Sequence, residues 1–211
     1  MPLHRASPLC LVLVALLSAC TAATGNSSGS KTLALASRAG IDGWVQSNGT
    51  VHTNGSGPLV GDLDAVTPGV GYRQFFSFDL GAIPAGATVT SATLRLYQAK
   101  VLGAPFGNHG IVTVDHVTYG DTLKATAYST PGLADSLGVL SSDTTTGFRL
   151  LDVTDEVLAD LAAAAIHSQF RLRFTVVASD NDGINDAVAF SDPELSCCPG
   201  APPQLNLTYT P

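Results

Sequence analysis

Hydrophobic and polar residues alternate twice across residues 71–97, on either side of a turn. In the first run Tyr72, Phe76, Phe78 and Leu80 share one parity, and Arg73, Ser77 and Asp79 share the other. That period of two is what a strand with one face on a core requires. Phe75 breaks it. Residues 81–86, with Pro84 among them, are turn formers, and the second run sets Ala92, Leu94 and Leu96 inward and Ser91, Thr93 and Arg95 outward. The two runs predict an antiparallel hairpin. The cleanest alternation lies in residues 170–177, where Phe170, Leu172, Phe174 and Val176 oppose Arg171, Arg173 and Thr175, the pattern of a central strand.

Shorter segments extend this reading. Leu33 with Leu35, Val188 with Phe190, and Leu205 with Leu207 and Tyr209 mark strands, with a further short one at 138–140 and another at 148–153. In 111–119 the parity of apolar residues changes between Val114 and Val117, which predicts a bulge near Asp115 and His116. One helix is expected, from Thr154 as N-cap to about Ile166. Asp155 and Glu156 occupy its first turn, where the helix dipole favours acids, and Val157, Leu158, Leu161 and Ala165 form its apolar face. Residues 47–71 and 100–110 are polar and glycine-rich, and predict surface connections.

The order of Arg73, Phe78-Asp79-Leu80, Ile83-Pro84, Gly86-Ala87, Ala92, Leu94 and Leu96-Tyr97 resembles the signature of the DNRLRE domain, a disaggregatase-related module grouped with carbohydrate-binding modules. Further matches are Asp42-Gly43-Trp44-Val45, Leu151-Asp152-Val153-Thr154, and Pro203, Leu205, Leu207 and Tyr209, so the resemblance covers residues 32–211. It implies an all-β, antiparallel, jelly-roll-like sandwich that binds glycan or another surface polymer. The alternation and the single helix agree with that class, the helix capping one end. Family members carry a Trp just after the strand corresponding to 111–119. Tyr119-Gly120-Asp121 stands in that place here, a departure from the family pattern; Tyr119 is a candidate ligand contact only as an aromatic that a glycan-binding face would display.

Composition sets the compartment. The chain has 211 residues, enough for one good core, and a formal charge of −7 with no clusters of Lys and Arg, which excludes a nucleic-acid partner. Residues 1–19 have the form of a signal peptide: His4 and Arg5, an apolar run over 9–17, then small residues before Cys20. The run is too short for a permanent membrane span. Leu17-Ser18-Ala19-Cys20 resembles a bacterial lipobox, in which Cys20 is lipidated. The alternative is an ordinary secretory leader with a chance cysteine. Residues 20–31 then form a flexible linker, and Thr21 in place of Asp favours the outer membrane or cell surface. Cys197 and Cys198 remain; in an oxidising envelope they can close a vicinal disulfide, pair between chains or stay reduced.

Candidate chemistry is sparse. Asp180-Asn181-Asp182-Gly183-Ile184-Asn185-Asp186 offers oxygen side chains at alternating places with a glycine for the turn, the requirement of a hard cation. Without an EF-hand's closing glutamate, calcium here needs ligands from elsewhere, and Asp62 and Asp64 are the acids proposed. The competing reading is an Asx-rich turn that binds nothing. Trp44, the one tryptophan, is either a sugar-stacking platform or a core residue. The four histidines beyond the leader show no zinc spacing, and the serine-hydrolase elbow and phosphate loop are absent. The expected activity is therefore binding, with no catalysis: a glycan or envelope polymer as ligand, or a protein partner docked in a structural role. A polysaccharide hydrolase or lyase is the remaining alternative.

Overall fold

The computed structural model describes residues 29–53, 59–176, 178–191 and 202–211. The leader, Cys20, Cys197 and Cys198 lie outside the described residues. The strands are β1 (Lys31–Ala36), β2 (Gly43–Gln46), β3 (Val51–His52), β4 (Val60–Asp62), β5 (Gly71–Asp79), β6 (Thr88–Leu102), β7 (Val112–Val117), β8 (Val139–Ser141), β9 (Gly147–Asp152), β10 (His167–Phe174), β11 (Ala187–Phe190) and β12 (Gln204–Thr210). Two helices accompany them, α1 (Pro105–Asn108) and α2 (Thr154–Ala162).

Hydrogen bonding follows the order β1-β12-β6-β11-β4-β5-β10-β7-β8, with β2 also on β5, β3 on β2 and β9 on β6. The sheet folds over on itself. Phe76, Phe78, Phe170 and Leu172 from β5 and β10 share one core with Leu94, Leu96, Leu205 and Leu207 from β6 and β12. The halves are joined where β11 meets β4, Ala187 opposite Gly61, and again where Ser37 bridges Phe78. The alternation predicts these antiparallel strands, and the resemblance implies the all-β, jelly-roll-like sandwich that they form. Each fully buried Phe contributes about 1.5–3 kcal/mol, so Phe75, Phe76, Phe78, Phe170 and Phe190 are major holders of the fold.

Several local expectations change. β5 and β6 are not a hairpin. β5 pairs with β10, β2 and β4, while β6 pairs with β12, β11 and β9, so the turn between them carries the chain from one layer to the other. Phe75 breaks parity because β5 is covered on both faces: a second cluster of Val45, Phe75, Leu123 and Ala127 lies outside the main core. The same outer layer covers Arg171, which is 4% exposed although its parity points away from the core.

No bulge interrupts the pairing of Asp115 and His116 with β10, where they face Arg171 and Phe170. The irregularity lies earlier, between Val112 and Thr113 against β8. Parity shifts in the sequence because both faces of β7 are buried. The expected surface connections hold structure too: β3 and β4 lie within 47–71, and β6 runs to Leu102 before α1.

Helix α2 is shorter than expected and Thr154 is its first residue, not its cap. Asp152 Oδ1 accepts from the Thr154 amide at 3.0 Å and its hydroxyl at 2.6 Å, and the Thr154 hydroxyl accepts from the Ala92 amide at 2.9 Å. The helix stops at Ala162, with Ala164 in the left-handed region at φ 53°. Val157 and Asp160 are the buried positions, and Leu158 is 40% exposed. Among the described residues no helix is long and apolar enough to cross a membrane.

Candidate functional site

Two places combine polar chemistry with a defined geometry. The first is at the junction of the layers, where β4, the segment after α1 and the acidic loop before β11 converge. Close approach is possible because Gly61 sits at φ 117° with no side chain: a Cβ there would meet the Asp186 carbonyl oxygen at 2.2 Å. Gly103, at φ 61°, makes the same allowance for the Asp186 side chain.

The side chains then divide their labour. Asp62 Oδ1 accepts from the Asp186 amide at 3.0 Å, while Oδ2 lies 3.1 Å from His109 Nε2, with both side chains fully buried. Asp64 accepts from the Gly69 amide at 2.8 Å and from the Ser179 hydroxyl at 2.9 Å. Asp182 closes an Asx turn on the Ile184 amide at 2.7 Å. Two triplets can each bring one ligand atom per residue within 4.8 Å of the others: Asp62, His109 and Asp180, and Asp64, Asp180 and Asp182. Burial pushes the Asp62 carboxyl above its ordinary value, against the lowering effects of the Asp186 amide and of His109, and Asp64 nearby pushes in the same direction as burial.

Asp180 thus approaches Asp62 in one triplet and Asp64 in the other, where Asp182 joins them; clusters of this kind could hold a metal ion, though exposed acids often group without one. Asp186 is spent elsewhere. Its carboxylate accepts from the Ala104 amide at 2.5 Å and from Asn108 Nδ2 at 2.7 Å, tying α1 to β11. His109 is the residue that sequence reasoning missed, because a lone histidine after a short turn carries no ligand spacing.

The sugar-contact candidates stand differently. Trp44 is 8% exposed, its indole stacked on His52 at 3.7 Å and packed with Leu59, Tyr72 and Ala187; it is a core residue, not an open platform. Tyr119 turns inward, edge-on to Phe75 at 5.6 Å with its hydroxyl buried. Burial, with the Asp42 carboxylate next, raises the Tyr119 phenol well above its ordinary value. Neither offers a bare ring face to a sugar.

The second place is the outward face of β1, β12, β6 and β9. Register sets Asn206, Thr93 and Asp152 in one row, Gln204, Arg95 and Leu150 in the next, and Tyr97 beside Phe148 in a third. Arg95 donates to Gln204 Oε1 at 2.9 Å and lies 3.4 Å over the Phe148 ring, which Tyr97 meets edge-on at 5.1 Å. Phe148 is 41% and Leu150 61% exposed. A groove of about 340 Å³ continues this face along Ser91, Thr93, Asn206 and Thr208 toward Thr32.

Elsewhere, His116 Nε2 meets Asp160 Oδ2 at 2.9 Å, joining β7 to α2 with both side chains nearly fully buried. Among comparisons with known proteins, no family model and no curated protein matches the chain.

Proposed function

We propose that the protein is a non-catalytic binding module of the bacterial envelope, held to the outer membrane or cell surface by lipid on Cys20, whose sandwich binds glycan or a related surface polymer. The observation that carries this reading is the outward face of β6 and its neighbours. Guanidinium, amide, hydroxyl and carboxylate groups of Arg95, Gln204, Asn206, Thr93 and Asp152 lie in register beside an aromatic pair. Hydroxyl-rich sugars need such planar hydrogen-bonding groups together with apolar ring surface, and Phe148, although Arg95 lies over its ring, is still 41% exposed. The DNRLRE resemblance supports the same class. The buried His116 and Asp160 pair supports a structural lock between strand and helix rather than acid–base chemistry.

Calcium at Asp64, Asp180 and Asp182 fits this function as a structural ion. All three donors are hard oxygens, as calcium prefers, and they would fasten the 178–186 loop to the segment after β4.

A glycan array probed with the purified chain, with calcium and with chelator, tests the reading. Binding should appear, and Phe148→Ala should weaken it roughly tenfold, as loss of a contact worth more than about 1 kcal/mol does. Absence of glycan binding in both conditions would overturn it. Exposed Leu150 beside Phe148 supports a second reading, a docked protein partner. That reading predicts that Leu150→Ala and Phe148→Ala weaken a protein complex while the array stays blank.

A further inference from the structure

The His109 imidazole is fully buried beside the Asp62 carboxylate. Asp62 Oδ2 and both ring nitrogens of His109 are buried without a hydrogen-bond partner among the described residues. Nε2 and Oδ2 nevertheless stand 3.1 Å apart, close but misaligned for a hydrogen bond. Leaving such polar atoms unsatisfied is costly, about 1–3 kcal/mol each. The ring cannot easily turn away: Phe174 lies against it at 5.4 Å, and the backbone on either side is fixed by the His109 amide donating to Pro105 and the Val176 amide donating to His109.

We propose that Asp62, His109 and Asp180 form a second cation site, selective for a first-row transition dication such as zinc over calcium. The argument is the donor set. Calcium takes oxygen ligands almost without exception, whereas an imidazole nitrogen with carboxylate oxygens is a set that zinc and its neighbours accept. An ion between Nε2 and Oδ2 would satisfy two of the three unpartnered atoms at once. Ligand atoms bound at about 2.0–2.2 Å around one small ion lie roughly 3–3.5 Å apart, the spacing that Nε2 and Oδ2 already have. Asp180 comes from the exposed side, so the ion would draw the 178–186 loop onto a rigid floor made by β4 and His109. Asp180 also belongs to the all-oxygen triplet, but neither Asp62 nor His109 does, which makes the two sites separable.

Isothermal titration of the full chain, stripped of metal and titrated with zinc or calcium, is the test. Wild-type protein should bind zinc, and His109→Gln and Asp180→Asn should each weaken zinc roughly tenfold or more, with Asp182→Asn changing it by less than about threefold. Asp180 is exposed, so Asp180→Asn keeps the test valid if His109→Gln unfolds, which circular dichroism reports. Cobalt in place of zinc should show the intensified visible d–d bands of a low-coordinate site, and these should shift and weaken in His109→Gln. The proposal is overturned if wild-type protein fails to bind zinc, if Asp180→Asn leaves zinc affinity unchanged, or if folded His109→Gln binds zinc as tightly as wild type. Asp182→Asn keeping zinc while losing calcium would support two separable sites, and a parallel loss of zinc would overturn the separate nitrogen-containing site.

Discussion

Asp115 is fully buried and accepts four hydrogen bonds. Arg171 donates to Oδ2 from Nε at 3.0 Å and from a terminal nitrogen at 2.7 Å, Arg173 donates to the same oxygen at 2.8 Å, and the Ser136 amide donates to Oδ1 at 2.9 Å. Arg171 in turn donates to the Thr130 carbonyl at 2.6 Å, so one carboxylate fastens the outer 118–137 segment to β7 and β10. Burial raises the Asp115 carboxyl, but hydrogen bonds from Arg173, the Ser136 amide and Arg171 outweigh it and hold the carboxyl below its ordinary value of 3.8. A depressed folded value means that the stabilisation is complete above the unfolded value and is lost as pH falls through the folded one. Asp115→Asn removes the buried counter-charge of both guanidinium groups, leaving Arg171 only the exposed Asp135 at 3.7 Å, and should cost about 3–5 kcal/mol in urea denaturation at neutral pH. The variant's stability should also fall less than the wild type's as pH drops below about 4. Equal stability of the two proteins at neutral pH would contradict this account. The acidic run 180–186 was legible in the sequence because oxygen-rich runs with glycine are distinctive, and the structure sets Asp180 near both Asp62 and Asp64. His109 and the inward turn of Tyr119 were not legible, since both depend on which distant strands become neighbours.

Strands were easier to read than their partners. The alternation of β6 and β10 emerged directly, because a face against a core imposes a period of two whatever lies beside the strand. Pairing did not emerge. A turn at 81–86 reports that the chain reverses, but not whether the next strand lies alongside β5 or in the opposite layer, and here it crosses. Where both faces are buried, as in β5 and β7, parity loses its meaning, and Phe75 and Val117 read as exceptions. The helix shows a related limit: its apolar residues span more than one stripe, and packing on β6 and β10 selects Val157 over Leu158. Val157→Ala should therefore cost about 2 kcal/mol, with Leu158→Ala costing less than half of that, both read from thermal or urea melts. The reverse order would show that α2 presents a different face to the sheet.

As a whole the described residues form a folded-over antiparallel sheet, with buried ion pairs and a broad polar face outward on β6, β9 and β12. A sequence with few charges and many β-type segments specifies such a body well, since burial of alternating residues in two layers is its main source of stability. What the face would bind under the proposed function depends on a handful of groups at its surface, and a periodic pattern carries no information about them: Arg95, Gln204 and Phe148 are ordinary outward strand residues until register aligns them. The proposed tether makes its own prediction. Cys20→Ser should move the chain from the membrane fraction to the soluble one, and unchanged membrane association would remove lipidation from the account. The central claim, that the outward face of β6, β9 and β12 is the ligand site, is tested most directly by mapping amide chemical shifts of isotopically labelled protein during titration with the best oligosaccharide from the array. Shifts should concentrate in residues 93–97, 148–152 and 204–206, and vanish in Phe148→Ala. Saturable shifts confined to other parts of the sandwich, or none with any oligosaccharide, would contradict it.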